Sequence, residues 1–156
     1  MFVYAAPVDR WVHELKFRQD LSAAHLLGKL LADALAGEQT GGFASLLPVP
    51  LHRKRLAERG YNQALELARP LGRLGYDIEM RCCRRARHTD AQSGLSAAIR
   101  KNNIRGAFKV TRPVEGRRFI LIDDVLTTGA TLNELARTLK TAGAASVSAW
   151  VVARAV

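Results

Sequence analysis

Two adjacent carboxylates follow an unbroken apolar run in the last third of the chain. Residues 119–122 carry no polar side chain, and Asp123 and Asp124 come directly after them. Ligands of parallel α/β sheets bind at the carboxyl ends of the strands, so we expect this pair to face a ligand. Adjacent carboxylates require a partner that tolerates negative charge, and sugar hydroxyls or a Mg²⁺ ion meet that requirement.

A run of small and hydroxyl-bearing residues comes next, immediately before a predicted helix at 131–142. The run consists of Thr127, Thr128, Gly129, Ala130 and Thr131. Free N–H groups at a helix N-terminus, with the helix dipole behind them, favour a phosphate, and threonine hydroxyls add further donors. Gly129 permits backbone angles that other residues resist. A phosphate site beside hydroxyl-binding carboxylates predicts a ribose 5-phosphate as the ligand.

A basic loop is predicted to leave the end of an earlier strand at 44–49. Its cations are Arg53, Lys54, Arg55 and, at the next turn, Arg59. Such side chains suit either a pyrophosphate with its bound metal or the phosphates of a nucleic acid. The formal net charge of +10 on 156 residues favours an anionic partner of either kind. A solvated basic surface explains the same residues, and the sequence leaves these interpretations open.

The elements that must position these residues alternate along the chain. The helical spacing of apolar residues predicts one helix at 8–17 and a second that begins at a cap, either Asp20 or Ser22, and ends at residue 35. Further helices are predicted at 62–74, 95–103 and 131–142. Apolar runs predict strands at 44–49, 77–84, 118–122 and 146–153. This alternation predicts an α/β fold with a mainly parallel sheet flanked by helices. The length suits one domain over 1–156, with a helical N-terminal segment at 1–43 and a core at 44–156.

The segment FILIDDVLTTGATL at 119–132 resembles the binding motif for 5-phosphoribosyl 1-pyrophosphate (PRPP) in type I phosphoribosyltransferases. Both have an apolar strand, two acidic residues, two variable positions and Thr-Thr-Gly. The resemblance implies a type I phosphoribosyltransferase-like fold. It also implies that Asp123 and Asp124 are catalytic residues that contact the ribose 2′- and 3′-hydroxyls, while residues 127–131 wrap the 5-phosphate. Mg²⁺ would arrive with PRPP, contacted by these two carboxylates rather than held in a cage of protein ligands.

Further segments resemble the ComF/GntX family of competence proteins. They are PVPLHRKRLAERGYNQALELA at 48–68, HTDAQSGLSAAIRKNNIRGAF at 88–108, Leu15-Lys16-Phe17 and Val152-Ala153-Arg154. This resemblance implies a link to natural transformation, the uptake of DNA, with other competence proteins as partners. By position, residues 87–103 resemble the hood over the active site of these transferases, with Thr89, Gln92 and Asn103 as candidate contacts. The four-cysteine zinc ribbon common in the family has no counterpart in this sequence, which therefore supports no role for zinc.

Two functions of different classes remain open. As an enzyme, the chain would bind PRPP with Mg²⁺ and let a nucleophile displace pyrophosphate from the anomeric carbon, although no residue set names the acceptor. As a non-catalytic competence factor, it would bind single-stranded DNA and use the phosphoribosyl site for a phosphate or nucleotide. Stacking of bases on aromatic side chains usually strengthens such binding, and Tyr61 alone lies beside a basic segment.

Hydropathy and cysteine content lead us to expect a cytoplasmic protein without a membrane span. No window approaches the roughly 20 consecutive apolar residues of a spanning helix, and residues 1–17 lack the pattern of a secretory signal. Cys82 and Cys83 are the only cysteines, so we expect ordinary strand residues and no disulfide framework. His52 and His88 follow no metal-binding spacing, and we expect capping or surface roles for them.

Overall fold

Strands and helices alternate along most of the chain in a computed structural model that describes residues 2–18, 20–35, 44–88 and 103–155. The strands are β1 (Phe2–Val3), β2 (Ala44–Pro48), β3 (Cys83–Arg85), β4 (Phe108–Val110), β5 (Arg118–Leu126) and β6 (Ser146–Arg154). The helices are α1 (Val8–Phe17), α2 (Leu21–Leu35), α3 (Arg53–Arg59), α4 (Gln63–Gly72) and α5 (Ala130–Thr141).

The main sheet has four parallel strands in the order β1-β6-β5-β2. At its centre, Ile120 of β5 lies opposite Leu46 of β2 and Ser148 of β6. Strands β3 and β4 form a separate antiparallel ribbon. The predicted α/β class with a mainly parallel sheet is therefore confirmed.

Side chains of β5 alternate between two cores, one on each face of the sheet. Ile120 and Ile122 pack with buried residues of α1, α2 and α4. Phe119 and Leu121 pack with buried residues of α5, β3 and β4. A strand that is covered on both faces needs apolar residues at every position, which explains the unbroken run seen in the sequence.

Side-chain caps begin two helices where the sequence predicts them. Oδ1 of Asp20 accepts a 2.8 Å hydrogen bond from the backbone N–H of Ser22 at the start of α2. Oδ1 of Asn62 accepts a 3.0 Å hydrogen bond from the backbone N–H of Ala64 at the start of α4. The Asn62 amide also donates to the carbonyl of Val49, at 3.1 Å. That bond ties the start of α4 to the end of β2.

β5 is longer than the strand predicted at 118–122. It runs to Leu126, so Asp123 and Asp124 lie within the strand and not after it. Pairing with β2 stops at Ile122, whereas β6 continues and places Val151 opposite Asp123. Strand β6 keeps the backbone of β5 extended past Ile122. Because β2 has ended there, the edge of β5 that faced β2 is open beside the carboxylates.

The single strand predicted at 77–84 is wrong. Ile78 makes one isolated parallel bridge to Leu46, and β3 begins only at Cys83. Between them, the carboxylate of Glu79 accepts hydrogen bonds from two following backbone N–H groups, at 2.7 and 3.2 Å. These local bonds hold the chain in a turn and interrupt the pairing with β2.

The basic segment after β2 is helical, whereas the sequence analysis expected a loop. All residue types in α3 favour helices, namely Arg, Lys, Ala, Leu and Glu. The high density of charged side chains obscured that preference in the sequence. The helix predicted at 95–103 lies almost wholly outside the described residues. Within the described ranges, no helix is both long and apolar enough to cross a membrane.

Candidate functional site

A cleft of about 710 Å³ opens where β2 and β5 end. It brings together most of the residues that the sequence singled out. Its lining includes Asp123, Asp124, Thr127, Thr128, Gly129, Ala130, Thr131, Lys54, Arg55 and Arg59. Arg53 is exposed and is not among the lining residues. The acidic pair, the hydroxyl-rich loop and three of the four cations of the basic segment therefore share one site.

The two carboxylates of the cleft have different surroundings. Asp124 is almost fully buried, with 3% of its surface exposed. Its Oδ1 lies 2.9 Å from Nζ of Lys16 and accepts a 2.7 Å hydrogen bond from the backbone N–H of Val125. Its Oδ2 is buried and accepts no hydrogen bond from any residue that the structure describes. Asp123 is partly exposed, and its Oδ1 accepts a 2.9 Å hydrogen bond from the backbone N–H of Asp124.

Burial and the neighbouring negative charge act together on Asp123. Desolvation first, and then the charge of Asp124, raise the pKa of the Asp123 carboxyl to about 7. The hydrogen bond from the backbone of Asp124 and the positive charges of Lys16 and Arg85 oppose this shift. A cationic ligand group or metal beside Asp123 would lower that pKa, so the carboxylate is suited to ionise when such a partner binds.

The loop after β5 ends at the N-terminus of α5. Gly129 is the N-cap of this helix and has a φ of 72°, in the left-handed region that favours glycine. Oγ1 of Thr128 accepts a 3.4 Å hydrogen bond from the backbone N–H of Ala130. The first N–H groups of a helix have no partners within the helix. With the dipole of a 12-residue helix behind them, they form a site for an anion such as a phosphate.

Helix α3 supplies the basic wall of the cleft. It begins at His52, whose Nδ1 accepts a 3.3 Å hydrogen bond from the backbone N–H of Lys54. This N-cap confirms the capping role expected for His52. Desolvation and nearby positive charges, led by His88, lower the pKa of His52, which favours the neutral ring that the cap requires.

At the other end of α3, Arg59 is buried and donates a hydrogen bond to Oε1 of Gln63. Burial, followed by the charge of Arg55, lowers the pKa of the Arg59 guanidinium, and the charge of Asp124 opposes this effect. Guanidinium groups stay charged in proteins. Arg59 therefore adds a fixed positive charge near the acidic pair.

The structure adds lining residues that the sequence analysis did not assign to the site. They include Lys16, Tyr4 and Phe17, together with Arg85, His88 and the acidic Glu58. Of the candidate contacts in the hood segment, Asn103 lines the cleft, whereas Thr89 and Gln92 lie outside the described residues. Leu15-Lys16-Phe17 was noted only as a family motif, and nothing in that motif indicates contact with an acidic residue more than 100 positions later.

Tyr61 does not serve as the stacking surface considered from the sequence. Its ring is partly buried against the core, and its hydroxyl donates a hydrogen bond to the carbonyl of Leu15 in α1. Burial raises the pKa of the Tyr61 hydroxyl. The residue therefore links the segment after α3 to the N-terminal helix.

The donor set of the cleft fits a cation that is shared with a ligand. Among the described residues, no group of three or more His, Cys, Asp or Glu side chains forms a metal cage. Asp123 and Asp124 offer carboxylate oxygens, and Oδ2 of Asp124 has no described hydrogen-bond partner. Mg²⁺ prefers such oxygens and is usually held by one or two carboxylates plus the phosphates of a ligand.

The chain is similar to known proteins in both sequence and fold. The sequence model for the phosphoribosyl transferase domain matches residues 56–155. DNA utilization protein YhgH of Escherichia coli (strain K12) is 38% identical, over 97% of this chain and 69% of that protein. Competence protein F of Haemophilus influenzae is 36% identical, over 97% of this chain and 70% of that protein. The structure of glutamine PRPP amidotransferase from B. subtilis is similar, with a TM-score of 0.52 and 25% identity, over 85% of this chain and 26% of that one.

Proposed function

Because the chain belongs to the phosphoribosyl transferase domain family, in its ComF/GntX competence-protein branch, we propose that it binds PRPP or ribose 5-phosphate with Mg²⁺. The family and the type I phosphoribosyltransferase-like fold are those that the sequence motifs predicted. One observation carries the proposal. The acidic pair and the loop at 127–131 line the same cleft, and that loop leads into the N-terminus of α5.

Each part of PRPP has a chemical counterpart in the cleft. The 5-phosphate is assigned to the N–H groups and hydroxyls of residues 127–131. The ribose hydroxyls are assigned to Asp123 and Asp124, which accept hydrogen bonds when they are ionised. The pyrophosphate is assigned to the basic wall, where Lys54, Arg55 and Arg59 supply positive charge.

Mg²⁺ is assigned to the carboxylates of Asp123 and Asp124 together with oxygens of the ligand. When bound there, the ion would neutralise negative charge on the pyrophosphate. The residues of this chain fix the sugar and place cations beside the leaving group. Carboxylates beside the ribose would stabilise the positive charge that develops on the sugar as its bond to pyrophosphate breaks.

A pentosyl transfer follows from this arrangement without a protein nucleophile. An acceptor forms a bond to the anomeric carbon while the bond from that carbon to the pyrophosphate oxygen breaks, and pyrophosphate leaves with the bonding electrons. We propose binding of the phosphoribosyl group as the primary function and transfer as the activity to be tested with a panel of acceptors. The names of the relatives, a DNA utilization protein and a competence protein, support a role in DNA uptake. We propose competence proteins as partners and the cytoplasm as the compartment.

Calorimetric titration of PRPP, with and without Mg²⁺, tests the proposed function. The samples are the wild-type protein and the double variant Asp123→Asn/Asp124→Asn. We expect the wild type to bind PRPP with a marked gain from Mg²⁺, and the double variant to lose at least about tenfold in affinity, because charge-assisted contacts disappear. A cooperative thermal transition in each sample checks that it is folded. A folded wild type that binds neither PRPP nor ribose 5-phosphate contradicts the proposal.

Binding of single-stranded DNA is a second candidate function, favoured by a specific feature of the surface. Arg53, Lys54, Arg84 and Arg87 are all exposed, on α3 and on or beside β3. Tyr61 is held in the protein and offers no stacking surface, so we assign this mode to contacts with the DNA backbone. Affinity should then fall steeply between about 50 and 200 mM salt. It should fall further in Arg53→Ala/Lys54→Ala/Arg55→Ala but not in Asp123→Asn. Binding that is indifferent to salt would exclude this mode.

A further inference from the structure

Lys16 reaches the acidic pair from a part of the chain that the family model does not match. Its Nζ lies 2.9 Å from Oδ1 of Asp124, yet α1 precedes the matched residues 56–155. The side chain of Asp124 is 5% exposed and that of Lys16 is 26% exposed. An ion pair this enclosed is only weakly screened by solvent, so removal of one partner is costly for the other.

The two oxygens of Asp124 are unequal. Oδ1 forms an ion pair with Nζ of Lys16 and accepts a hydrogen bond from the backbone N–H of Val125, whereas Oδ2 has no hydrogen-bond partner among the described residues. An ion pair and a hydrogen bond on one oxygen restrict rotation of the carboxylate. A buried oxygen without a partner is costly to keep unless a ligand completes its hydrogen bonding. Oδ2 is therefore the oxygen that is available to accept a hydrogen bond from a ligand group, or to contact a cation, in the cleft.

We infer that Lys16 is a positioning residue for Asp124, which it holds by Oδ1 so that Oδ2 is left for the ribose or its bound cation. This inference rests on the proposed binding of PRPP. Lys16 acts through Asp124 and needs no contact with the ligand. Helix α1 thus supplies a charge that completes the site formed by the acidic pair and the loop at 127–131. Loss of that charge should weaken ligand binding more than it weakens the fold.

A purely structural role, in which Lys16 only docks α1, makes a different prediction. The same end of α1 has a second attachment, the hydrogen bond from the Tyr61 hydroxyl to the carbonyl of Leu15. Val12 and Leu15 are also fully buried. Tyr61→Phe removes that attachment but leaves the charge beside Asp124 unchanged. It is therefore the matched control, and Lys29→Met on the exposed side of α2 controls for the loss of a positive charge.

The experiment is calorimetric titration of PRPP with Mg²⁺ into the wild type, Lys16→Met, Lys16→Arg, Tyr61→Phe and Lys29→Met, with a thermal unfolding curve for each. We expect Lys16→Met to lose about tenfold or more in affinity, a loss of the size that one charge-assisted contact causes. Lys16→Arg, which keeps the charge, should recover most of that loss. Tyr61→Phe should lower the melting temperature, while its affinity and that of Lys29→Met stay within about twofold of wild type.

A wild type that binds and a Lys16→Met variant that binds equally well overturn the inference alone. Parallel losses of affinity in Lys16→Met and Tyr61→Phe also overturn it, because they show that docking of α1 is what matters. A wild type that binds no PRPP overturns the proposed function itself. The ion pair is checked without ligand through the melting temperatures of Lys16→Met, Asp124→Asn and the double variant. We expect a smaller loss from Lys16→Met in the Asp124→Asn background, and additive losses would contradict the pairing.

Discussion

The backbone N–H of Asp124 donates a 2.9 Å hydrogen bond to Oδ1 of Asp123, so the two neighbouring carboxylates are linked through the main chain. Lys16 compensates the charge of Asp124, but Asp123 has no ion pair as close among the described residues. The ligand-free protein therefore holds a negative charge at Asp123 at an energetic cost. Such a cost is expected at a binding site, where a partner that arrives later repays it.

The first prediction is that Asp123→Asn stabilises the ligand-free protein at high pH. The pKa of Asp123 is raised from 3.8 to about 7 in the folded state, so the folded protein holds this proton more tightly than the unfolded chain does. The contribution of protonated Asp123 to the free energy of unfolding is fully present below about pH 4 and is lost as the pH rises through about 7. Asparagine cannot ionise. We therefore expect a melting temperature at least about 3 °C above wild type at pH 8, equivalent to roughly 1 kcal/mol.

Thermal unfolding in a chelating buffer at pH 5 and pH 8 measures this effect. The gain should be smaller at pH 5, where wild-type Asp123 is already largely protonated in the folded protein. Asp33→Asn, at an exposed position of α2, is the matched control and should change little at either pH. A lower melting temperature for Asp123→Asn at pH 8 would show that the charge of this carboxylate stabilises the ligand-free fold, contrary to the prediction.

The second prediction compares two glycines with nearly the same backbone conformation. Gly129 has a φ of 72° at the start of α5, and Gly116 has a φ of 69° in the turn before β5. An added Cβ meets no atom within 4 Å at Gly116, and the nearest atoms lie 3.4 Å away at Gly129. The cost of alanine at both positions is thus mainly backbone strain, about 1–2 kcal/mol.

Gly129→Ala and Gly116→Ala should therefore lose similar stability but differ in ligand binding. Only Gly129 lies in the loop assigned to the 5-phosphate, where a shift in backbone angles redirects the N–H groups at the start of α5. We expect about tenfold weaker binding of ribose 5-phosphate by Gly129→Ala and unchanged binding by Gly116→Ala. Denaturant unfolding and calorimetry measure the two effects separately. Equal affinities of the two variants for ribose 5-phosphate would contradict the assignment of the 5-phosphate to the loop at 127–131.

The sequence predicted the central part of the fold because local and long-range signals agree there. The apolar run before Asp123 indicates a strand covered on both faces, and Asn62 marks the start of a helix through its side-chain cap. The end of β5 was misplaced because strand length depends on the partner. The continuation of β6 beside Asp123 cannot be deduced from the residues of β5 alone.

The candidate site was predicted where its residues are close in sequence or, as in the basic segment, follow the end of a predicted strand. Asp123, Asp124 and the loop at 127–131 form one motif, and their common cleft follows from strand, turn and helix. Lys16 is separated from Asp124 by most of the chain, and only the folded arrangement of α1 against the sheet brings them together. The contact of Tyr61 could not be predicted for the same reason, because its partner Leu15 lies in that distant helix.

The third prediction concerns the thiols of Cys82 and Cys83. Both are buried, with 0% and 3% of their surfaces exposed. Burial raises the pKa of Cys82 to about 11 and that of Cys83 to about 12. Because the thiolate is the reactive form, neither should react with a thiol reagent in the folded protein at pH 8. Both should react after denaturation. Rapid titration of either thiol in the native protein would show that the ribbon of β3 and β4 opens.

The fourth prediction separates two neighbouring cations of α3. Both are exposed, but Lys54 lines the cleft and Arg53 does not. If the basic wall holds pyrophosphate, Lys54→Ala should weaken binding of PRPP by about tenfold, the effect of a lost charge-assisted contact. It should leave ribose 5-phosphate, which lacks the pyrophosphate, within about twofold.

Arg53→Ala is the matched control, since it removes the same charge from the same turn of the helix and alanine favours helices at both positions. Its affinities for PRPP and ribose 5-phosphate should both stay near wild type. Calorimetry with the two ligands at one salt concentration measures all four combinations. If Lys54→Ala loses equal affinity for PRPP and for ribose 5-phosphate, this lysine contacts the 5-phosphate or contacts no particular group of the ligand. Equal losses in the two variants would mean that α3 acts through its overall charge, because long-range attraction depends little on which side chain supplies it.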